Sequence, residues 1–303
     1  MPYMPSATWV AGTAQIVLGV LTSTLDPPKT LRFARYLTAK DKGLAVFRQR
    51  GFRTVEGDQW EEVPELVFYC GAVNRRSVES IIKEFEQREG VRVNTVYNGC
   101  GILTAQMKTI VGQRQGLGFP DIYMACDVYY LNNVRDWFQE DVEISDTEIV
   151  IAVPKGNPKG IKSLKDLTRP GIRVSVGQPD QCTIGALTRL LLEKEGLYDE
   201  VMKNVVTQTA SSAMLVPTVS TGSVDASLAY LTDTLAEKDK VDVIRIPSNA
   251  AKAVQPFAIA RSSQRKWLGR RLFAALARSK DRFEAAGFHF RLEGPRPTKV
   301  SIE

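Results

Sequence analysis

Short apolar runs alternate with segments of helical spacing along most of the chain. That alternation limits the available folds more than any other feature. Residues 66–69 (LVFY), 91–97 (VRVNTVY), 121–124 (DIYM), 149–153 (IVIAV), 173–176, 205–208 and 226–230 read as strands. Between them, residues 77–87 put Val78, Ile81, Ile82 and Phe85 on one helical face. Further helices are expected at 102–110, 134–138, 163–167, 184–195 and 213–220. Strands alternating with helices build α/β folds with largely parallel sheets. Such sheets bind ligands at the carboxyl ends of their strands.

Those ends hold the residues with distinctive chemistry. Cys70, Cys100 and Cys126 each follow one of the first three strands, and Cys182 lies in the loop after 173–176, just before a helix. None forms a C-x-x-C pair, so spacing alone indicates neither a zinc knuckle nor a thioredoxin motif. Singly, each reads as a small buried hydrophobe; four in one class of loop read as a shared site. The single histidine, His289, argues against His-based metal centres and against Ser-His-Asp or Cys-His catalysis. A cysteine nucleophile needs a base, so no enzyme activity is expected. Arg75 and Arg76 open a helix near the cleft and read as a solvated face, or as electrostatic attraction for an anion. Asp127 reads as a helix cap. The 303 residues carry a formal charge of +6, but basic and acidic residues are interleaved, so no nucleic-acid partner is expected. At 44% hydrophobic and 24% charged, the composition is globular, with length for about two domains.

The N-terminus is different. Residues 1–25 carry no charged side chain. The run 9–21 has no basic region before it, as an export signal would. Gly12, Thr13, Gln15 and Gly19 interrupt it, so it is not a membrane span. It is expected to hold a buried strand over 14–21. Asp26-Pro27-Pro28 then opens a helix, with Leu31, Ala34, Tyr36 and Leu37 on one face, and a second helix stops at Gly51. Residues 5–52 repeat the order of residues 247–288: Pro-Ser, strand, polar turn, helix with Phe-Ala, second helix, Gly-Phe. Gln15 pairs with Gln255, Phe33-Ala34 with Phe273-Ala274, and Gly51-Phe52 with Gly287-Phe288. On that reading residues 1–58 are the tail of a preceding domain, 59–64 a linker and 65–290 one complete domain. Residues 291–303 form a C-terminal tail.

Taken in order, LVFYCGAVNRRSVESIIKEFEQREGVRV, YNGCGILTAQM, PDIYMACD, IVIAVPKGNPKGIKSLKDL, VGQPDQCTIGALT and GSVDASLAYLTD resemble the periplasmic molybdate-binding proteins of ABC transporters. The resemblance covers residues 65–290. It implies the type 2 substrate-binding protein fold: two α/β lobes, each a mixed, mostly parallel sheet flanked by helices, joined by two crossing strands. Lobe one would be 65–145 and 232–290, and lobe two 146–231. It further implies a tandem pair of such domains, an ABC transporter permease as partner, and a periplasmic or other extracytoplasmic location with the export signal upstream.

The resemblance also implies a ligand: a tetrahedral oxyanion such as molybdate or tungstate. Hydroxyls and backbone N–H groups would hold it, because helix N-termini supply unsatisfied donors and a positive dipole end. No further cofactor is implied. The matching positions are Ala72, Cys100, Ile184, Ser212 and Tyr230. Ala72 and Cys100 stand where the family has serines, so two hydroxyl donors are lost; a thiol donates poorly and a thiolate would repel molybdate. Three accounts of the cysteines stay open. Cys70, Cys100, Cys126 and Cys182 converge on a soft cation such as a Zn or Cu ion. They pair as disulfides, in one of three connectivities. Or they stay reduced while the backbone binds the oxyanion.

Overall fold

The computed structural model describes residues 14–112 and 118–292. Two helices come first, α1 (Pro27–Thr38) and α2 (Gly43–Gln49). Lobe one then begins with β1 (Glu65–Gly71), α3 (Arg75–Glu89), β2 (Arg92–Asn98), α4 (Cys100–Gly112), β3 (Ile122–Met124) and α5 (Val128–Asn132). The long strand β4 (Phe138–Pro154) carries the chain into lobe two. There follow β5 (Val174–Gly177), α6 (Thr183–Lys194), α7 (Tyr198–Met202), β6 (Val205–Thr209), α8 (Leu215–Ser220), β7 (Ala226–Tyr230), α9 (Leu231–Thr234) and β8 (Val241–Arg245). The chain returns through β9 (Lys252–Ala260) and closes with α10 (Lys266–Ala277), α11 (Lys280–Ala285) and β10 (His289–Phe290).

β1 pairs in parallel with β2 and β3, and β3 meets β9 antiparallel. The first half of β4 pairs with β9 and its second half with β7 and β8. β5 joins β6 and β7 in parallel. The mixed two-lobed α/β architecture is therefore as expected. The return crossing is not at 232: β8 pairs with the second half of β4, so lobe two extends through 245. The crossing falls between β8 and β9.

Local sequence explains the elements. β1 is buried along most of its length, as an interior parallel strand should be. α3 buries the four predicted residues and stops at Gly90, whose φ of +62° suits glycine. The helix expected at 134–138 is only a 3-10 turn at Arg135–Trp137, with Phe138 already in β4; the α-helix lies upstream, at Val128–Asn132, where Asp127 caps it and accepts from the Tyr129 N–H at 2.8 Å.

The strand expected at 14–21 is absent. Ile16, Val17, Leu18 and Leu21 are exposed, and among the described residues no strand pairs with them. A strand needs a neighbour for its backbone groups, and the equivalent β9 has two. Gln255 in β9 is buried and bonded to Ser145 and the Cys126 carbonyl, whereas Gln15 is exposed. Phe273 packs on Phe257 with ring centroids 5.5 Å apart, whereas Phe33 is exposed. The helix pairs nevertheless end alike. Gly51 has φ +85° and Gly287 φ +87°. The Phe52 N–H donates to the Phe47 carbonyl at 3.1 Å, and the Phe288 N–H to the Phe283 carbonyl at 3.0 Å.

The segment expected to link the two parts is docked rather than free. The Asp58 carboxylate accepts from the Trp267 and Leu268 N–H groups, both at 2.9 Å, and so caps α10. Glu61 pairs with Arg265. Buried Glu89 on α3 holds Arg35 of α1 and Arg271 of α10.

Candidate functional site

Lobe one brings three strand ends to the cleft. β1 runs into the Ala72–Asn74 turn, β2 into the start of α4 at Cys100, and β3 into Ala125 and Cys126. Parallel register sets Cys70 beside Tyr97 and Met124. Lobe two presents the first turn of α6, preceded by Cys182, and the Ser212–Met214 turn.

The Cys100 and Cys126 sulfurs lie 3.0 Å apart, and the Cys126 N–H donates to the Cys100 sulfur at 3.1 Å. Both residues are buried. Gly71 permits this: a Cβ there would stand 2.3 Å from the Cys126 sulfur and 2.8 Å from that of Cys100. All four cysteines are free.

Burial would push the Cys100 thiol up. The Cys126 thiol, the Thr183 hydroxyl, the Cys126 N–H and the Tyr123 hydroxyl all direct hydrogens at its sulfur, and together they bring it below the usual thiol value. Cys126 is pushed well up because it donates to Cys100 and is itself buried. Burial also pushes Cys70 well up and Cys182 up to about 11. Burial thus favours the thiol form throughout the cluster, and the donors around Cys100 oppose it there.

The Thr183 and Tyr123 hydroxyls approach the Cys100 sulfur without completing a hydrogen bond to it. Among the described residues Tyr123 Oη, Thr183 Oγ1 and Tyr230 Oη are buried and unpartnered. Burial, with the charges of nearby cysteines, keeps both phenols protonated, so they remain donors. An unpaired buried polar group costs about 1–3 kcal/mol. Three around one thiol cluster are costly unless something fills their donors.

The lobes are closed on each other. The Tyr130 hydroxyl of lobe one donates to the Pro179 carbonyl of lobe two at 2.9 Å. A Cβ on Gly99 would lie 2.4 Å from the Gln181 oxygen, and one on Gly101 would lie 2.1 Å from the Asp180 oxygen. At the rim the Ala72–Asn74 turn packs against the Ser212–Met214 turn. Burial raises the Asp233 carboxyl to about 6, although the Ser212 hydroxyl and the Arg76 charge oppose this.

Cys100, Ile184 and Tyr230 therefore lie at the closed centre, while Ala72 and Ser212 lie at the rim. The Ile184 N–H is directed toward the Cys182 sulfur. Tyr123, Thr183 and Asp233 were not foreseen. Thr183 carried a signal, a hydroxyl at a helix start beside Cys182. Tyr123 and Asp233 carried none, since lobe closure brings them in. His289 lies away from the centre, with its Nδ1 3.1 Å from Asp146.

The four-cysteine metal cage is not formed. Among the described residues no group of three or more His, Cys, Asp or Glu is arranged to hold a metal ion. Tetrahedral zinc with bonds of about 2.3 Å would space its sulfurs by about 3.8 Å, and the Cys100–Cys126 pair is tighter. Cys70 turns instead toward the Gly71 carbonyl, at 3.7 Å. A cavity of about 740 Å³ lies elsewhere, between the N-terminal helices and α3 and α10. Several arginines line it, and Arg35, Arg265, Arg270 and Arg271 are already paired with acids. The converging donors, not volume, mark the candidate site.

Residues 66–289 match the family described as bacterial extracellular solute-binding protein. The chain belongs to this family. The molybdate-binding protein ModA of Mycobacterium tuberculosis (strain ATCC 25618 / H37Rv) is 30% identical over 199 residues, 64% of this chain and 71% of that protein. Among solved structures, the periplasmic molybdate-binding protein of Azotobacter vinelandii superposes with a TM-score of 0.61 at 14% identity, covering 76% of this chain and all of that one. The sulfate-binding protein SubI of Mycobacterium tuberculosis H37Rv gives 0.60 at 18% identity, covering 78% and 88%. At these identities the structures show the fold. The family is one of solute-binding proteins, which supports the non-enzymatic reading. No helix among the described residues is long and apolar enough to cross a membrane.

Proposed function

We propose that this protein is the extracytoplasmic solute-binding component of an ABC transporter and captures a small tetrahedral oxyanion of the molybdate or tungstate kind between its lobes. The observation that carries this reading is that three buried, unpartnered hydroxyls, Tyr123, Thr183 and Tyr230, gather around the cysteines of the cleft. Helix starts and protonated hydroxyls both favour an acceptor with no cation of its own. Tyr230 and Ser212 donate hydroxyls in this reading, and Ala72, Cys100 and Ile184 backbone N–H groups. The molybdate-binding relatives support it. The closed form is what a permease would engage. Residues 1–58 we read as the tail of a preceding domain of the same fold. The matching glycine caps and the exposed Gln15 and Phe33 support that.

Calorimetric titration of the reduced protein with molybdate, tungstate, sulfate and phosphate tests the ligand. Saturable one-to-one binding of molybdate or tungstate is expected. Tyr230→Phe should weaken it about tenfold, the loss of one hydrogen bond of about 1.4 kcal/mol. If no tetrahedral oxyanion binds, the reading fails.

A further inference from the structure

Two thiols held this close, beside unfilled donors, suit a different ligand chemistry from hydrogen bonding alone. We propose that the Cys100–Cys126 pair also captures a trivalent metalloid hydroxide, of the arsenite kind, by exchanging two of its hydroxides for sulfur. The inference rests on the proposed use of the interlobe cleft as the ligand site.

The pair has the required parts. Its sulfurs are 3.0 Å apart and come from loops after β2 and β3, so the fold and not a flexible tail sets their spacing. A pyramidal trivalent centre, with bond angles near a right angle, brings two sulfurs closer than the roughly 3.8 Å of a tetrahedral zinc site. Cys100 is the nucleophile, because the thiolate is the reactive form, and Cys126 holds a proton to give. Arsenous acid is uncharged at neutral pH, so a thiolate that repels a dianion does not repel it.

In the first exchange the Cys100 sulfur bonds to arsenic, and a hydroxide leaves as water with the Cys126 proton. In the second, the Cys126 sulfur bonds to arsenic, and another hydroxide leaves as water with a proton from solvent. Arsenic stays trivalent, so the reaction needs neither oxidant nor reductant. The remaining hydroxyl on arsenic offers an acceptor to the unpartnered hydroxyls near the pair, Tyr123, Thr183 and Tyr230.

Sodium arsenite and the full chain, reduced with a phosphine in the absence of oxygen, provide the test. One arsenic per chain should be retained through desalting. Alkylation in denaturant followed by peptide mapping should find Cys100 and Cys126 protected and the other two cysteines labelled, a readout that needs no variant to fold. Cys100→Ser and Cys126→Ser should each lose at least a hundredfold in arsenite affinity. Loss of arsenic on desalting, protection of a different pair, or unchanged affinity in both variants overturns the inference. Molybdate titration of the same sample separates the two proposals. Molybdate binding without arsenite retention overturns this inference alone. Arsenite retention without binding of any tetrahedral oxyanion supports it and overturns the reading in Proposed function.

Discussion

Asp233 shows how one residue reports on the cleft. Its carboxyl is raised from 3.8 to about 6 by burial, with Ser212 and Arg76 opposing. Between these values the unfolded chain has released the proton and the folded chain keeps it. Stability therefore falls as pH rises from about 4 to about 6 and is level above that. Asp233→Asn removes the penalty, so thermal melts should show it more stable than the parent above about pH 6 and equal below about pH 4. An oxyanion also prefers the protonated carboxyl, so its affinity for the parent should fall across the same window. Residues of this kind were not legible beforehand. The cysteines were, because their loops follow recognisable strands. Tyr123, Thr183 and Asp233 gain meaning only from burial and lobe closure, and sequence spacing does not encode those.

Among the elements, legibility followed the strength of the local signal. α3 has a clean apolar face and a glycine stop, and it formed as expected. The first half of β4 was hidden by its acids at Glu140, Asp141, Glu143, Asp146 and Glu148. Its ladder with β9 is broken by two register shifts, which blurs the alternation further. The segment 14–21 has strand composition but no partner edge, so composition alone misled. The docking of 56–64 was equally hidden, because a polar acidic run reads as a linker until the helix it caps is known. That cap has a measurable weight. Asp58→Ala leaves two N–H groups of α10 unsatisfied and should lower stability by about 1 kcal/mol, read as a drop in denaturant midpoint with unchanged slope.

At the scale of the whole molecule, the two glycines that open α4 set how tightly the lobes meet. Gly101→Ala places a methyl 2.1 Å from the Asp180 carbonyl of the other lobe, and its three nearest neighbours all belong to that lobe. The variant should melt like the parent without ligand yet bind at least tenfold more weakly. X-ray scattering at saturating ligand should give a larger radius of gyration than the parent's; an equal radius and equal affinity would refute the role given to closure. β4 ties this motion to the cores. It is one unbroken strand whose halves belong to different sheets, and side chains alternate face along it. A single codon inserted near Glu148 would leave one half in phase and turn the other inside out. Loops away from the cleft tolerate a change of length, whereas the middle of β4 keeps count for both lobes at once.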